Sequence, residues 1–420
     1  MKYGVIGERL PHSFSKIIHE RLDSYTYDLH EIAPDKLDRF MTAREFTGIN
    51  VTVPYKEKVI PYLDEIDPLA KAIGAVNTVV NKNGKLYGYN TDILGLKALI
   101  DTLGLSLKGK KVLILGAGGT AKTARALSER EGAREICLVH RRQTPDTVSY
   151  ENAYRLHADA DILIHTTPGG MFPKLHTLPT DENANNFSLD AFPKLEGVID
   201  VVYNPLRTTL VQQAKAKGIT AVGGLYMLVA QAVYAAAYFT DKTYPTTVID
   251  EIYQELLCEK ENIVLIGMPS SGKTTVGNAL AKLTGRKFID TDEELIKRVG
   301  KPIPEIFESE GEEAFRRYEA ETIASLAAEN NAIIATGGGA ILREDNLLNL
   351  RYNGRLYFLD RPLSQLTPTA DRPTASDTAA LENRYRERYP KYLAASDSVI
   401  EATATPKKLA LTILQRHKER

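Results

Sequence analysis

The chain has 420 residues, a formal net charge of −1, and 43% hydrophobic and 25% charged residues. That length holds two or three domains with sizeable cores, and the balanced charge gives no overall field for nucleic acid or an anionic membrane. Any anion must be caught by a local arrangement, and neither nucleic acid nor membrane is an expected partner.

Cys137 and Cys258 have neither disulfide-framework nor metal-ligand spacing and fit a reducing compartment. Met1 to Gly7 carry no charged leader ahead of an apolar stretch, so no signal peptide is expected and the location is read as cytoplasmic. Oligomeric state is left open.

In chain order, strand-like runs at 3–6, 48–53 and 76–80 mix with helical stretches in an α/β pattern. A polar stretch, 107–110, precedes a sharp strand at 111–115. Further strands at 136–139, 162–164 and 198–202 alternate with helices, the rhythm of a parallel, doubly wound Rossmann sheet. Residues 219–239 carry no charge over about 20 positions, the length of a bilayer span. Gly223-Gly224, Gln231 and the tyrosines within it, and the missing basic flank, predict instead a buried helix. A turn-rich break at 240–245 and a polar helix at 248–261 lead to a new strand at 262–266, so the main boundary is placed at 250–261. The remainder has its own α/β pattern.

Two glycine-rich loops follow strands and open helices. The first, Gly116-Ala117-Gly118-Gly119-Thr120-Ala121, fits a dinucleotide pyrophosphate: glycine for the turn and close approach, alanine for helix packing, and free N–H groups at the helix start. After the next strand come His140-Arg141-Arg142 rather than an acid. Guanidinium groups there suit a 2′-phosphate and favour NADP(H) over NAD. The second, Gly267-Met268-Pro269-Ser270-Ser271-Gly272-Lys273-Thr274-Thr275, contains G-x-x-x-x-G-K-(S/T). Its backbone would cradle ATP phosphates, Lys273 reach the β- and γ-phosphates and Thr274 offer a hydroxyl to Mg²⁺. The loop alone does not separate a kinase from another NTPase.

The segment 12–15, the strand-like run from Asn50 to Lys56, and the stretches 74–78 and 88–92 add hydroxyl, amide, ammonium and carboxylate groups, an inventory suited to a polyhydroxylated acid. In order, S-x-S (Ser13, Ser15), N-V-T-V-P-x-K (50–56), G-A-V-N-T (74–78), N-T-D (90–92), the first glycine loop and G-G-L-x-M-L-V-x-Q (223–231) resemble shikimate dehydrogenase over about 1–255. The resemblance implies Lys56 and Asp92 as the catalytic pair. It implies Ser13, Ser15, Thr52, Lys56, Asn77, Asp92, Tyr203 and Gln231 as substrate contacts. It also implies a substrate domain over 1–92, completed by helices at about 224–258, and an NADP domain over 93–223. His140 and His165 stand where that family commonly has asparagine, Arg142 where it has threonine and Tyr226 where it has glycine.

Further on, D-x-D (Asp290, Asp292), G-E-x-x-F-R (311–316) and G-G-G (Gly337, Gly338, Gly339) resemble shikimate kinase over about 262–420. That likeness implies Asp290 beside Thr274 at Mg²⁺, and Asp292 as substrate ligand and base. Arg316, Arg388 and the three glycines would hold the substrate, and Lys273 and lid residue Arg372 would face the transferred phosphoryl group. The lid departs from the family in lacking an arginine in 366–370 and in having Thr374-Ala375 for a leucine pair.

Together the resemblances imply reduction of 3-dehydroshikimate to shikimate with NADPH, then phosphorylation by ATP. Quinate with NAD, another polyol acid such as gluconate, and a non-catalytic sensor are the alternatives. The presence of Lys56, Asp92, Lys273 and Asp292 argues against the last.

Overall fold

The structure, a computed structural model, describes residues 2–10, 14–23, 25–367 and 378–419. The chain divides into two units, Met1–Glu255 and Leu256–Arg420.

The first unit holds two sheets. One is mixed: β1 (Tyr3–Gly7), β2 (Tyr27–Glu31), β3 (Gly48–Val51), β4 (Glu65–Ile66), β5 (Thr78–Lys82) and β6 (Lys85–Tyr89), in the order β2-β1-β3-β5-β6-β4. The other has β7 (Lys111–Leu115), β8 (Glu135–Val139), β9 (Ile162–His165), β10 (Gly197–Asp200) and β11 (Thr220–Val222), in the order β11-β10-β9-β7-β8. All its pairs are parallel. Its strands are apolar runs, because helices cover both faces. The order reverses between β7 and β9, and the crevice beyond their carboxyl ends is where such sheets bind ligands.

The uncharged stretch at 219–239 is not one helix. Thr220–Val222 pairs with β10 as an edge strand, and the helix runs Leu225–Thr240 after Gly224. Its lack of charge follows from burial: Val229, Ala230, Ala232, Ala235 and Ala236 are all wholly or nearly shielded. A Cβ on Gly95 would come within 2.7 Å of the Met227 carbonyl oxygen, and one on Gly48 within 2.3 Å of the Phe239 ring. Glycine therefore sets how closely this helix approaches the helix Asp92–Thr102 and the first sheet. Among the described residues, no helix is long and apolar enough to cross a membrane.

The second unit has one parallel sheet of β12 (Asn262–Ile266), β13 (Lys287–Asp290), β14 (Ala332–Ala335), β15 (Gly354–Asp360) and β16 (Ser398–Glu401), in the order β13-β14-β12-β15-β16. Apolar layers pack on both faces. The order reverses at β12 and β14, so the loops after those two strands meet.

Candidate active sites

In the first unit, β3 ends at Val51, earlier than the sequence run to 53 suggests, and the chain turns through Pro54 to bring Lys56 inward. The Lys56 Nζ donates to Asp92 Oδ2 at 2.6 Å, and both side chains are largely sheltered. Asp92 is the first residue of the helix Asp92–Thr102, whose N-terminal dipole favours its carboxylate. A Cβ on Gly119 would lie 3.9 Å from Lys56 Cδ, so the lysine stem runs beside the first glycine loop.

That loop has the backbone its sequence requires. Gly116 sits at φ 123°, and a side chain there would strike Thr166 Oγ1 at 2.4 Å. The helix Gly119–Arg130 then buries Ala121. Thr120 is part-exposed, and Ala117 and Gly118 are open to solvent at the helix start. Beyond β8, the His140 ring accepts the Arg142 N–H, and both Arg141 and Arg142 extend into solvent. His165 is elsewhere: wholly buried at the end of β9, 3.0 Å from Asp200 and 2.5 Å from Thr167 Oγ1. Asp200 also accepts from Thr208 and from the Val202 N–H, so this histidine braces two strand ends and does not face the crevice.

Asn77 is 2% exposed and lies beside Gln231, with 3.5 Å between its Nδ2 and Gln231 Oε1. It also bonds Thr91, the neighbour of Asp92. Lys56, Asp92, Asn77 and Gln231 are therefore linked directly or through Thr91. Thr52 Cγ2 fills the space over Gly7, and Ser15 opens the helix Ser15–Leu22. The Tyr203 ring lies tilted against Phe14, with centroids 5.5 Å apart, which places it against the S-x-S segment, and burial raises its phenol pKa. Ser13 lies outside the described residues.

In the second unit, the loop after β12 takes left-handed conformations at Ser270 (φ 63°) and Gly272 (φ 94°). Pro269 packs against Gly338, and Ser271 and Lys273 are almost fully buried. The Lys273 ammonium donates to the Gly267 and Met268 carbonyls at 2.9 and 2.8 Å. Thr274 Oγ1 donates to Asp290 Oδ2 at 2.8 Å, and Thr275 follows in the helix Lys273–Thr284. Asp290 ends β13, whereas Asp292 does not share that strand end. Asp290 caps the helix Thr291–Val299 by accepting the Asp292 N–H, so Asp292 stands in its first turn.

Three glycines at the end of β14 form the floor. Cβ atoms on Gly337 and Gly339 would collide with Asp292 Oδ1 at 2.7 Å and Arg316 Nη1 at 2.2 Å. The Gly338 carbonyl accepts from Arg388 Nη1 at 3.1 Å and from the Tyr392 hydroxyl at 2.5 Å. The cavity above this floor is walled by Phe307 and Phe315 and edged by Asp292, Arg316, Glu319 and Arg388. Gly311, at φ 83°, kinks the helix Ile303–Ser325, which carries Arg316 on its second half. Arg372 and the lid positions 368–377 lie outside the described residues.

Glu319 was missed by the sequence reading. It is 2% exposed and pairs with Arg316 at 2.9 Å. Burial pushes its carboxyl above the ordinary glutamate range, Asp292 adds to that, and Arg316 opposes it. Burial also works against the Arg316 charge, but Glu319 and Glu312 outweigh it and hold the guanidinium protonated. The available signal was spacing: Glu319 follows Arg316 by one helical turn.

A dinucleotide-type crevice with a lysine–carboxylate pair defines an oxidoreductase, and a phosphate loop facing a charged pocket defines a phosphotransferase. Residues 5–79 match the family model for the shikimate dehydrogenase substrate binding domain, and residues 269–418 match that for shikimate kinase. The NADP⁺-type shikimate dehydrogenase of Halothermothrix orenii is 40% identical over 56% of this chain and 90% of its own length. The structure of shikimate dehydrogenase 1 from Peptoclostridium difficile superposes with a TM-score of 0.55 at 34% identity, covering 61% of this chain and 98% of that one. The Thermus thermophilus enzyme, solved in complex with NADP(H) and shikimate, gives 0.51 at 29% identity, covering 61% and 99%. The chain belongs to the shikimate dehydrogenase family and carries a shikimate kinase domain as its second part, making it a bifunctional enzyme of the shikimate pathway.

Proposed function

We propose that the first unit reduces 3-dehydroshikimate to shikimate with NADPH and that the second phosphorylates shikimate to shikimate 3-phosphate with ATP and Mg²⁺. The observation that carries the first half is the 2.6 Å Lys56–Asp92 pair beside the Gly119 loop. When bound, NADPH supplies a hydride, and ATP with Mg²⁺ supplies a phosphoryl group. Lys56 gives a proton to the carbonyl oxygen as it becomes an alcohol, and Asp92 orients the ammonium and holds its charge. Asn77, Gln231, Thr52, Ser15, Ser13 and Tyr203 bind the substrate. Arg141, Arg142 and His140 receive the 2′-phosphate, and residues 116–121 the pyrophosphate.

In the second unit, Asp292 takes the proton of the attacking hydroxyl while Arg316 and Arg388 hold the carboxylate over Gly337–Gly339. Residues 269–275 cradle the phosphates, and Lys273 and Arg372 neutralise charge on the transferred group. Thr274 and Asp290 meet at 2.8 Å and offer only hard oxygen donors, which fits Mg²⁺ held jointly with phosphates and water. In this reading residues 1–92 with helices at 224–258 form the substrate domain, 93–223 the NADP domain, 250–261 the linker and 262–420 the kinase, in a cytoplasmic protein.

A coupled assay tests this. Purified protein with 3-dehydroshikimate, NADPH, ATP and Mg²⁺ is expected to lose NADPH and form ADP, and shikimate with ATP alone to form ADP. Absence of NADPH loss, with turnover of quinate and NAD instead, would replace the first half of the reading.

A further inference from the structure

Behind the dehydrogenase crevice lies a closed chain of neutral hydrogen bonds that starts outside it. The Tyr27 hydroxyl, on wholly buried Tyr27 of β2, donates to Asn50 Oδ1 at 2.6 Å. Asn50 Nδ2 donates to the Asn77 carbonyl at 3.3 Å and to Thr78 Oγ1 at 3.1 Å. Thr78 Oγ1 in turn donates to Asn77 Oδ1 at 3.1 Å, which also accepts the Thr91 N–H at 2.6 Å.

These donors fix polarity. Turning the Asn50 amide over would set its oxygen against the Asn77 carbonyl oxygen, so the oxygen faces Tyr27, whose hydroxyl donates to it at 2.6 Å, with His19 as its other polar neighbour. Asn77 Oδ1 has both lone pairs engaged and Nδ2 gives one N–H to Thr91 Oγ1 at 3.0 Å, so only the Nδ2 N–H on the Gln231 side is left for a ligand. Beside it, 3.5 Å away, is Gln231 Oε1, turned that way because Gln231 Nε2 donates to the Leu228 carbonyl. A donor and an acceptor that far apart match one alcohol hydroxyl, which accepts from Asn77 and donates to Gln231.

We infer that Tyr27, which does not line the crevice, is a positioning residue for substrate: its hydroxyl holds Asn50, and through Thr78 keeps Asn77 presenting its NH₂ to a substrate hydroxyl. This rests on the reading of Asn77 as a substrate ligand. Tyr27→Phe keeps the ring, which stacks on His19 at 4.1 Å, and removes only the donor.

The experiment is a double-mutant cycle on the full chain with 3-dehydroshikimate and NADPH. Tyr27→Phe is expected to raise KM for 3-dehydroshikimate about tenfold, the size of effect of one buried acceptor losing its donor. The kcat and the KM for NADPH should change little. In an Asn77→Ala background the same substitution should have no further effect on KM, because the residue it acts through is gone. An unchanged KM in Tyr27→Phe beside a raised one in Asn77→Ala overturns the inference alone, as do effects that multiply in the double variant. An unchanged KM in Asn77→Ala overturns the ligand reading and the inference with it. A weakened NADPH affinity in Tyr27→Phe, measured by fluorescence, would mark a general loss of structure and also overturn it.

Discussion

The two candidate sites of this chain are built by opposite means. Around Asn77 the dehydrogenase crevice is a web of amides and hydroxyls, with charge confined to Lys56 and Asp92. The kinase pocket is crowded with charge: Asp292 and Glu319 face Arg316, which is also tied to Glu312, and Arg388 closes the set. The neutral web holds its donors and acceptors in fixed directions. The charged pocket balances its own ions, so that removing one leaves another short of a buried partner. A polar web is sensitive to geometry, whereas a charged pocket is sensitive to composition.

The largest effects would test whether the sites work independently. Lys56→Ala is expected to lower kcat for reduction by about 10²- to 10⁴-fold, the range for losing a general acid. Phosphorylation in the same preparation should persist. Lys273→Ala should abolish phosphorylation and spare reduction. Loss of both activities in a folded protein from either substitution would refute two separate sites.

Next in size is Glu319→Ala, which leaves the sheltered Arg316 with only the exposed Glu312 as an ion-pair partner. Its expected cost is about 3 kcal/mol of stability in the second unit, read as a lower urea midpoint, together with a raised KM for shikimate. If Glu319→Ala is as stable as the parent, charge balance does not organise that pocket.

Smallest at neutral pH, and growing as the pH falls, is an effect of acidity. Burial lowers the His19 pKa from 6.5 to about 3, with Asn50 opposing. Between those values the unfolded chain binds the proton that the folded chain refuses. Stability is therefore complete above about pH 6.5 and declines as the pH falls toward 3, by up to about 1.4 kcal/mol per unit. His19→Phe should flatten the acid limb in urea titrations repeated across pH. An unchanged limb would show that His19 is not the titrating group.

The same contrast explains what could be read from the amino acids alone. Both glycine loops were legible because their backbone follows from local spacing: a strand, a glycine at positive φ, then a helix start. Lys56, Asp92 and the D-x-D acids were found through short motifs, although the motif did not reveal that Asp292 sits on a helix capped by Asp290. Glu319 and Tyr27 were not found, because each matters through a partner that only the fold supplies. The run 219–239 misled for a related reason: absence of charge does not separate a short, partly exposed edge strand from the buried helix that follows it.

The helix Leu225–Thr240 carries a further consequence for synthesis. Phe239 covers Gly48 and packs against Tyr3, so the earliest strands to leave the ribosome lack their cover until the chain has passed the whole second sheet. The opening sheet must wait, its apolar face exposed, while the intervening domain can form from local crossovers. The kinase part, continuous in sequence, has no such delay. A nascent chain arrested before residue 225 should therefore present the chaperone-binding surface, and one arrested after 255 should have hidden it.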